Sequence, residues 1–140
     1  MTSQQIPQGG AIKPPHQKPP RKSGLAHLLA AATYSAAGFR RLLHESAFRQ
    51  ELTIGLIVLA GLALWGVGLA KLLGFAIFLL VLTAVEALNT ALEVLVDHLS
   101  PDWSEFARDA KDLGSLAVGA TLIATALYLV WVVLGQTGLI

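Results

Sequence analysis

The stretch "LLGFAIFLLVLTAVEALNTALEVLVDHL" (residues 72–99) decides how the chain folds. From Leu72 to Val85 it holds no charged residue, and then Glu86, Asn89, Glu93 and Asp97 follow at spacings of three, four and four. At about 100° per residue these four share one narrow face of a helix. A helix this long and apolar reads as a membrane span, because ~20 apolar residues cross a hydrocarbon core of ~30 Å. Carboxylates inside such a span are costly unless paired, and they mark a path or a site. The rest of the chain has to supply their partners.

Composition supports a membrane setting. The 140 residues are 54% hydrophobic with a mean hydropathy of +0.63, above the ~45–50% apolar content of soluble domains. Cysteine is absent, which excludes disulfides and thiolate metal ligands. Residues 1–22 carry five of the six prolines and the cations Lys13, Lys18, Arg21 and Lys22. They are expected to be a disordered basic tail, and they lack the apolar core of a cleavable signal peptide.

Residues 23–140 are then one domain. Leu25, Leu28, Leu29, Ala32, Ala36, Phe39 and Leu43 recur at helical spacing, which predicts an interfacial amphipathic helix over 24–45, with Ser23 able to cap it. Spans are expected at about 50–70, 72–97 and 112–135. Lys71 alone separates the first two, and a polar connection over 97–111 separates the second and third. The expected fold is an all-α membrane protein of three transmembrane helices plus the interfacial helix. Nine of the ten Lys/Arg lie before span one or in the second connection, and Lys71 is the tenth. That bias places the N-terminus in the cytoplasm. Counted from Leu72 at ~1.5 Å per residue, Glu86 lies ~21 Å along its helix and Glu93 ~32 Å, so Glu93 meets the water line and Glu86 sits inside it.

Lys111, Asp112 and Ser115 open the third span at the same level, and Glu45 arrives from the interfacial helix. Surface carboxylates, a lysine, and a deeper carboxylate beside an amide suit metal–phosphate chemistry on a lipid hydroxyl. Oxygen ligands of this kind suit Mg²⁺. Polar residues in spans also serve as glue between helices, but four on one stripe facing a lysine exceed what glue requires. His16, His27, His44 and His98 show no metal-ligand spacing. No GxxxxGK[ST] loop and no HRD or DFG signature is present, which excludes a conventional ATP fold. On the residues alone, an intramembrane enzyme competes with a small proton-coupled carrier.

"ESAFRQE" (45–51), "VEALNTALEVLVD" (85–97) and "AKDLGS" (110–115) resemble the bacterial integral-membrane diacylglycerol kinases, in the same order and with similar separations. The likeness runs over about residues 24–135, and its core is the pair of patterns E-x-x-N-[ST]-A-x-E and A-K-D-x-[GA]-S. It implies a homotrimeric bundle with composite sites, in the bacterial inner membrane. It also implies transfer of the γ-phosphoryl group of MgATP to diacylglycerol, with undecaprenol as the alternative lipid of the same family. ATP, Mg²⁺ and a membrane lipid are the implied partners, with no nucleic acid. Carried over by motif, Glu45 and Glu93 match metal-binding carboxylates, Glu86 the general base, and Asn89 the motif asparagine beside it. Tyr34, Lys111 and Asp112 match nucleotide contacts. His27 stands where related enzymes can place an arginine. Ser115 and the segment Ala47, Phe48, Arg49, Gln50 and Glu51 match positions that line the lipid.

Overall fold

A computed structural model describes residues 24–139. The tail over 1–22 and the capping residue Ser23 lie outside the described residues. Four helices follow one another: α1 (Leu25–Leu42), α2 (Ser46–Leu64), α3 (Leu69–Leu99) and α4 (Glu105–Thr137). The last three are long and apolar enough to cross a membrane.

The boundaries differ from the sequence expectation in three places, each for a local reason. The first hairpin turns at Trp65–Gly68 and not at Lys71: Gly66 takes φ 79°, a left-handed conformation that glycine adopts without strain, and Gly68 caps α3. Lys71 therefore lies in the first turn of α3, where its Nζ stands 5.2 Å from the centroid of the Trp131 ring. The second connection is only Ser100–Ser104, because the Ser104 side chain accepts from Ala107 N at 3.2 Å and starts α4 with Glu105 in its first turn. Lys111 and Asp112 are thus two turns inside a helix. The third is the start of the first span: α2 begins at Ser46 and not at about 50, so "SAFRQE" forms its first turns.

Helix α1 stops at Leu42 and reaches the rest of the bundle by its end. Leu42 is buried, where the apolar spacing had favoured Leu43, and Phe39 meets Phe48 of α2 edge to face with centroids 5.9 Å apart. Leu28 and Leu29 remain exposed. The short junction is closed by Arg49, whose Nη1 donates to the carbonyls of Leu43 (3.1 Å) and His44 (2.9 Å). These are carbonyls a helix end leaves without internal donors.

The best-packed region lies at the hairpin end. Leu62, Val67, Phe75 and Val132 are buried there, with Val58, Leu72, Leu79, Tyr128 and Leu129 around them. Tyr128 donates to the Lys71 carbonyl at 3.0 Å and stacks between Phe78 and Trp131. Elsewhere the helices bury little, and large apolar side chains such as Leu64, Leu80, Leu88 and Leu127 stand exposed. Lipid is as apolar as leucine, so such faces carry no penalty in a bilayer.

Candidate active site

The buried face of α3 changes character along its length. Phe75 and Leu82 occupy it toward the hairpin, and Glu86 and Thr90 continue it. Glu86 is only 6% exposed. It lies ~26 Å from the first residue of α3 and ~20 Å from the last, so starting the helix at Leu69 still leaves it well inside. Glu51 neighbours it from the α2 face that also buries Phe48, Gly55 and Leu62. The Glu51 carboxyl lies beside that of Glu86, and Glu51 Oε2 has no donor. Two acceptors facing each other can bond only through a proton placed between them.

One turn on, Asn89 Nδ2 donates to Glu93 Oε1 at 3.0 Å, and Asn89 Oδ1 is buried with no donor. Asp97, the last member of the stripe, pairs with Lys111 of α4. The four residues therefore form a sequence from the interior to the open end: a buried carboxyl, an amide holding a carboxylate, and a carboxylate–ammonium pair.

Two spaces flank this sequence. At the open end a cleft of about 350 Å³ is lined by Asp97, Trp103, Ser104, Arg108, Lys111 and Asp112 among others. On the interior side a groove of about 210 Å³ runs among Ile54, Val58, Leu82, Leu122 and Leu129, with Glu51 at its edge. One space offers hydroxyls and charges of both signs, and the other offers hydrocarbon and a carboxyl.

The remaining expected residues are distributed as follows. Lys111 and Asp112 meet at the open cleft, whereas His27 and Tyr34 stand exposed on α1 with no side-chain hydrogen bond among the described residues. Glu45 sits at the N-cap of α2 and pairs with Arg41. Ala47, Gln50 and Ser115 are exposed, but Phe48 is buried against Phe39 and so faces the protein, not lipid. Arg49, expected to offer donors to a lipid, is occupied by the α1–α2 junction.

Among the described residues no three His, Asp or Glu side chains converge as metal ligands. The donors nonetheless suit Mg²⁺, which takes one or two carboxylates and completes its shell with phosphate oxygens and water. Two features escaped the sequence reading. Trp103 and Arg108 line the cleft, a role for which "PDWSEFAR" (101–108) gives only composition. The contact of Glu51 with Glu86 joins residues 35 positions apart, and helical spacing within either segment cannot show it.

The family model for prokaryotic diacylglycerol kinase matches residues 33–134. The chain belongs to this family. A diacylglycerol kinase of Sinorhizobium sp. is 37% identical over 133 residues, covering 95% of this chain and 92% of the relative. That of Escherichia coli K12 is 32% identical over 108 residues, covering 75% and 87%. That of Pseudomonas aeruginosa PAO1 is 37% identical over 98 residues, covering 69% and 79%. Membership in the prokaryotic diacylglycerol kinase family makes the chain a kinase, and its three long apolar helices make it a multi-pass membrane protein. The match to the family model includes every candidate site residue except His27.

Proposed function

We propose that the protein transfers the γ-phosphoryl group of ATP to the free hydroxyl of diacylglycerol, giving phosphatidic acid. The observation that carries this reading is the carboxyl of Glu86, buried inside a membrane-length helix beside Glu51, which lines a hydrocarbon groove, while the same helix carries Asp97 to a cleft of mixed charge at its open end. A lipid hydroxyl stays attached to its acyl chains and can meet a base only below the water line. The relatives' names supply the lipid.

The groove beside Glu51 holds acyl chain and excludes water. Glu86 takes the proton as the hydroxyl oxygen bonds to the γ-phosphorus and the bond to the ADP oxygen breaks. Glu51, in contact with it, allows the pair to hold that proton between two oxygens. Asn89 fixes the direction of the Glu93 carboxylate, and Lys111 with Asp112 meets the nucleotide at the open cleft. Glu93 and Glu45 would hold Mg²⁺, which when bound neutralises charge on the transferring phosphoryl group. Positioning and charge neutralisation are most of what phosphoryl transfer requires.

Within one subunit Glu45 pairs with Arg41, and among the described residues the cleft is lined by neither His27 nor Tyr34. Composite sites in a homotrimer would supply these groups across subunits. The bias of Lys and Arg would place the N-terminus and the open cleft in the cytoplasm, at the bacterial inner membrane.

The test is the identity of the product. Purified protein is reconstituted in vesicles containing both diacylglycerol and undecaprenol and given γ-labelled ATP. Label in phosphatidic acid is expected. Label in undecaprenyl phosphate would transfer the reading to that lipid. No labelled lipid, together with proton-driven solute flux, would replace it with a carrier.

A further inference from the structure

Lys71 carries a charge for which no side chain at its end of the bundle supplies a counter-ion. No aspartate or glutamate lies between Leu52 and Val85 or between Leu113 and Ile140, so in α2, α3 and α4 every side-chain carboxylate gathers at the end away from the hairpin. Along its own helix the first is Glu86, fifteen residues on and so ~22 Å away. A second copy set alongside in the same orientation would bring none either.

The ammonium is nevertheless held in one place. Its Nζ stands 5.2 Å from the centroid of the Trp131 ring, and one turn further along α4 a Cβ placed on Gly135 would come within 2.7 Å of it. Gly135 leaves the notch through which a side chain from the first turn of α3 reaches the last turns of α4. A ring face attracts an ammonium without neutralising it, and the three N–H donors of Lys71 meet no acceptor among the described residues. Trp65 lies at the same end, its carbonyl accepting from Gln136. Leu69 and Leu73, within one turn of Lys71 on α3, stand exposed. A fixed cation beside bare hydrocarbon suits an amphiphile with an anionic head.

We propose that Lys71, seated on Trp131 in the notch of Gly135, holds the phosphate of an anionic phospholipid at the hairpin end of the bundle. The test uses Trp131 as its own reporter. In the full-length protein Trp65→Phe and Trp103→Phe leave Trp131 as the single tryptophan. This protein is reconstituted in phosphatidylcholine vesicles containing rising fractions of phosphatidylglycerol or of phosphatidylcholine with brominated acyl chains, which quench indole fluorescence on contact. Phosphatidylglycerol should occupy the site about fivefold more readily than phosphatidylcholine, the preference that one cation near an anionic lipid surface confers. In the same background Lys71→Met should bring the ratio to about one. Gly135→Leu keeps the charge but fills the notch, and it should also abolish the preference.

Equal quenching by the two lipids in the parent protein would overturn the proposal, as would a preference that survives Lys71→Met. A preference that survives Gly135→Leu would reduce the site to diffuse surface charge and overturn it as well. If inorganic phosphate in the buffer abolishes the preference, the site takes a free ion and the lipid assignment falls. Should Gly135→Leu not fold, Gly135→Ala replaces it, since its Cβ would meet only the flexible end of Lys71. A weakened preference is then expected, and an unchanged one overturns the proposal.

Discussion

Replacing Glu86 by glutamine separates chemistry from packing, because the two side chains have nearly the same shape. The site is 6% exposed, and an isosteric change opens no cavity there. What changes is hydrogen bonding: the glutamine amide can donate to Glu51 Oε2, which has no donor in the wild-type arrangement. One new hydrogen bond to a buried acceptor contributes about 0.5–1.5 kcal/mol. Glu86→Gln should therefore unfold in detergent at the same temperature as wild type or slightly higher. Its rate of lipid phosphorylation should fall ~10²–10⁴-fold, the usual contribution of a positioned general base. Nucleotide binding should persist, since Lys111 and the open cleft lie closer to the end of the helix. The assays are thermal unfolding followed by circular dichroism, labelled-phosphate transfer, and binding of a fluorescent ATP analogue. A rate within ~10-fold of wild type would remove Glu86 from the role of base. A loss of more than ~2 kcal/mol of stability would show that the contact with Glu51 is not as described.

Glu45→Gln and Glu93→Gln should each abolish phosphorylation in protein that remains folded, and a wild-type Mg²⁺ dependence in either would reject that residue as a metal ligand. Arg49→Ala removes both donors to the Leu43 and His44 carbonyls and should cost about 1–2 kcal/mol, read as earlier melting and faster proteolysis between α1 and α2; unchanged cleavage would show that another group closes the junction. Diacylglycerol should be phosphorylated at least ~10-fold more efficiently than undecaprenol in one bilayer, since its ester carbonyls can use exposed donors such as Gln50 and Ser115 that a polyprenol leaves unmatched. Equal rates for the two lipids would mean that those donors do not contact substrate.

Much of the fold was legible because membrane helices advertise themselves by uninterrupted apolar length, and the α3 stripe by its spacing. The errors arose where charge was used as punctuation. Lys71 looks like a break in a hydropathy reading, but its ammonium rests against Trp131 and its stem continues the helix. The real break, Gly66 to Gly68, carries no charge and so merged into the apolar run. At the other end Glu105, Arg108, Asp109 and Lys111 make residues 97–111 look like a polar connection. A helix extending past the bilayer can carry charge, and Ser104 starts it early. The candidate site was legible where it lies on one helix, as Glu86, Asn89 and Glu93 do. It is illegible where separate helices meet: spacing within α2 cannot show that Glu51, which lines the apolar groove, also lies beside Glu86 of α3, nor that Arg49 donates to the Leu43 and His44 carbonyls.

The two ends of the bundle are fixed in the membrane to different degrees. At the hairpin, Lys71, Tyr128 and Trp131 form a packed cluster of amphipathic side chains, the residue types that hold a helix end at a bilayer interface. At the other end α3, 31 residues long and so ~46 Å from end to end, overshoots a ~30 Å hydrocarbon core, so that its charged last turns extend past it. A host membrane of altered thickness is therefore accommodated where α3 overshoots, more or less of its last turns standing in water. Glu86 is positioned by measurement from the hairpin, so a thicker bilayer moves the water boundary away from it along α3 and a thinner one brings water closer. The acyl-chain length of the surrounding phospholipids, which never enter the reaction, thereby becomes a setting on the rate at which substrate and nucleotide can meet.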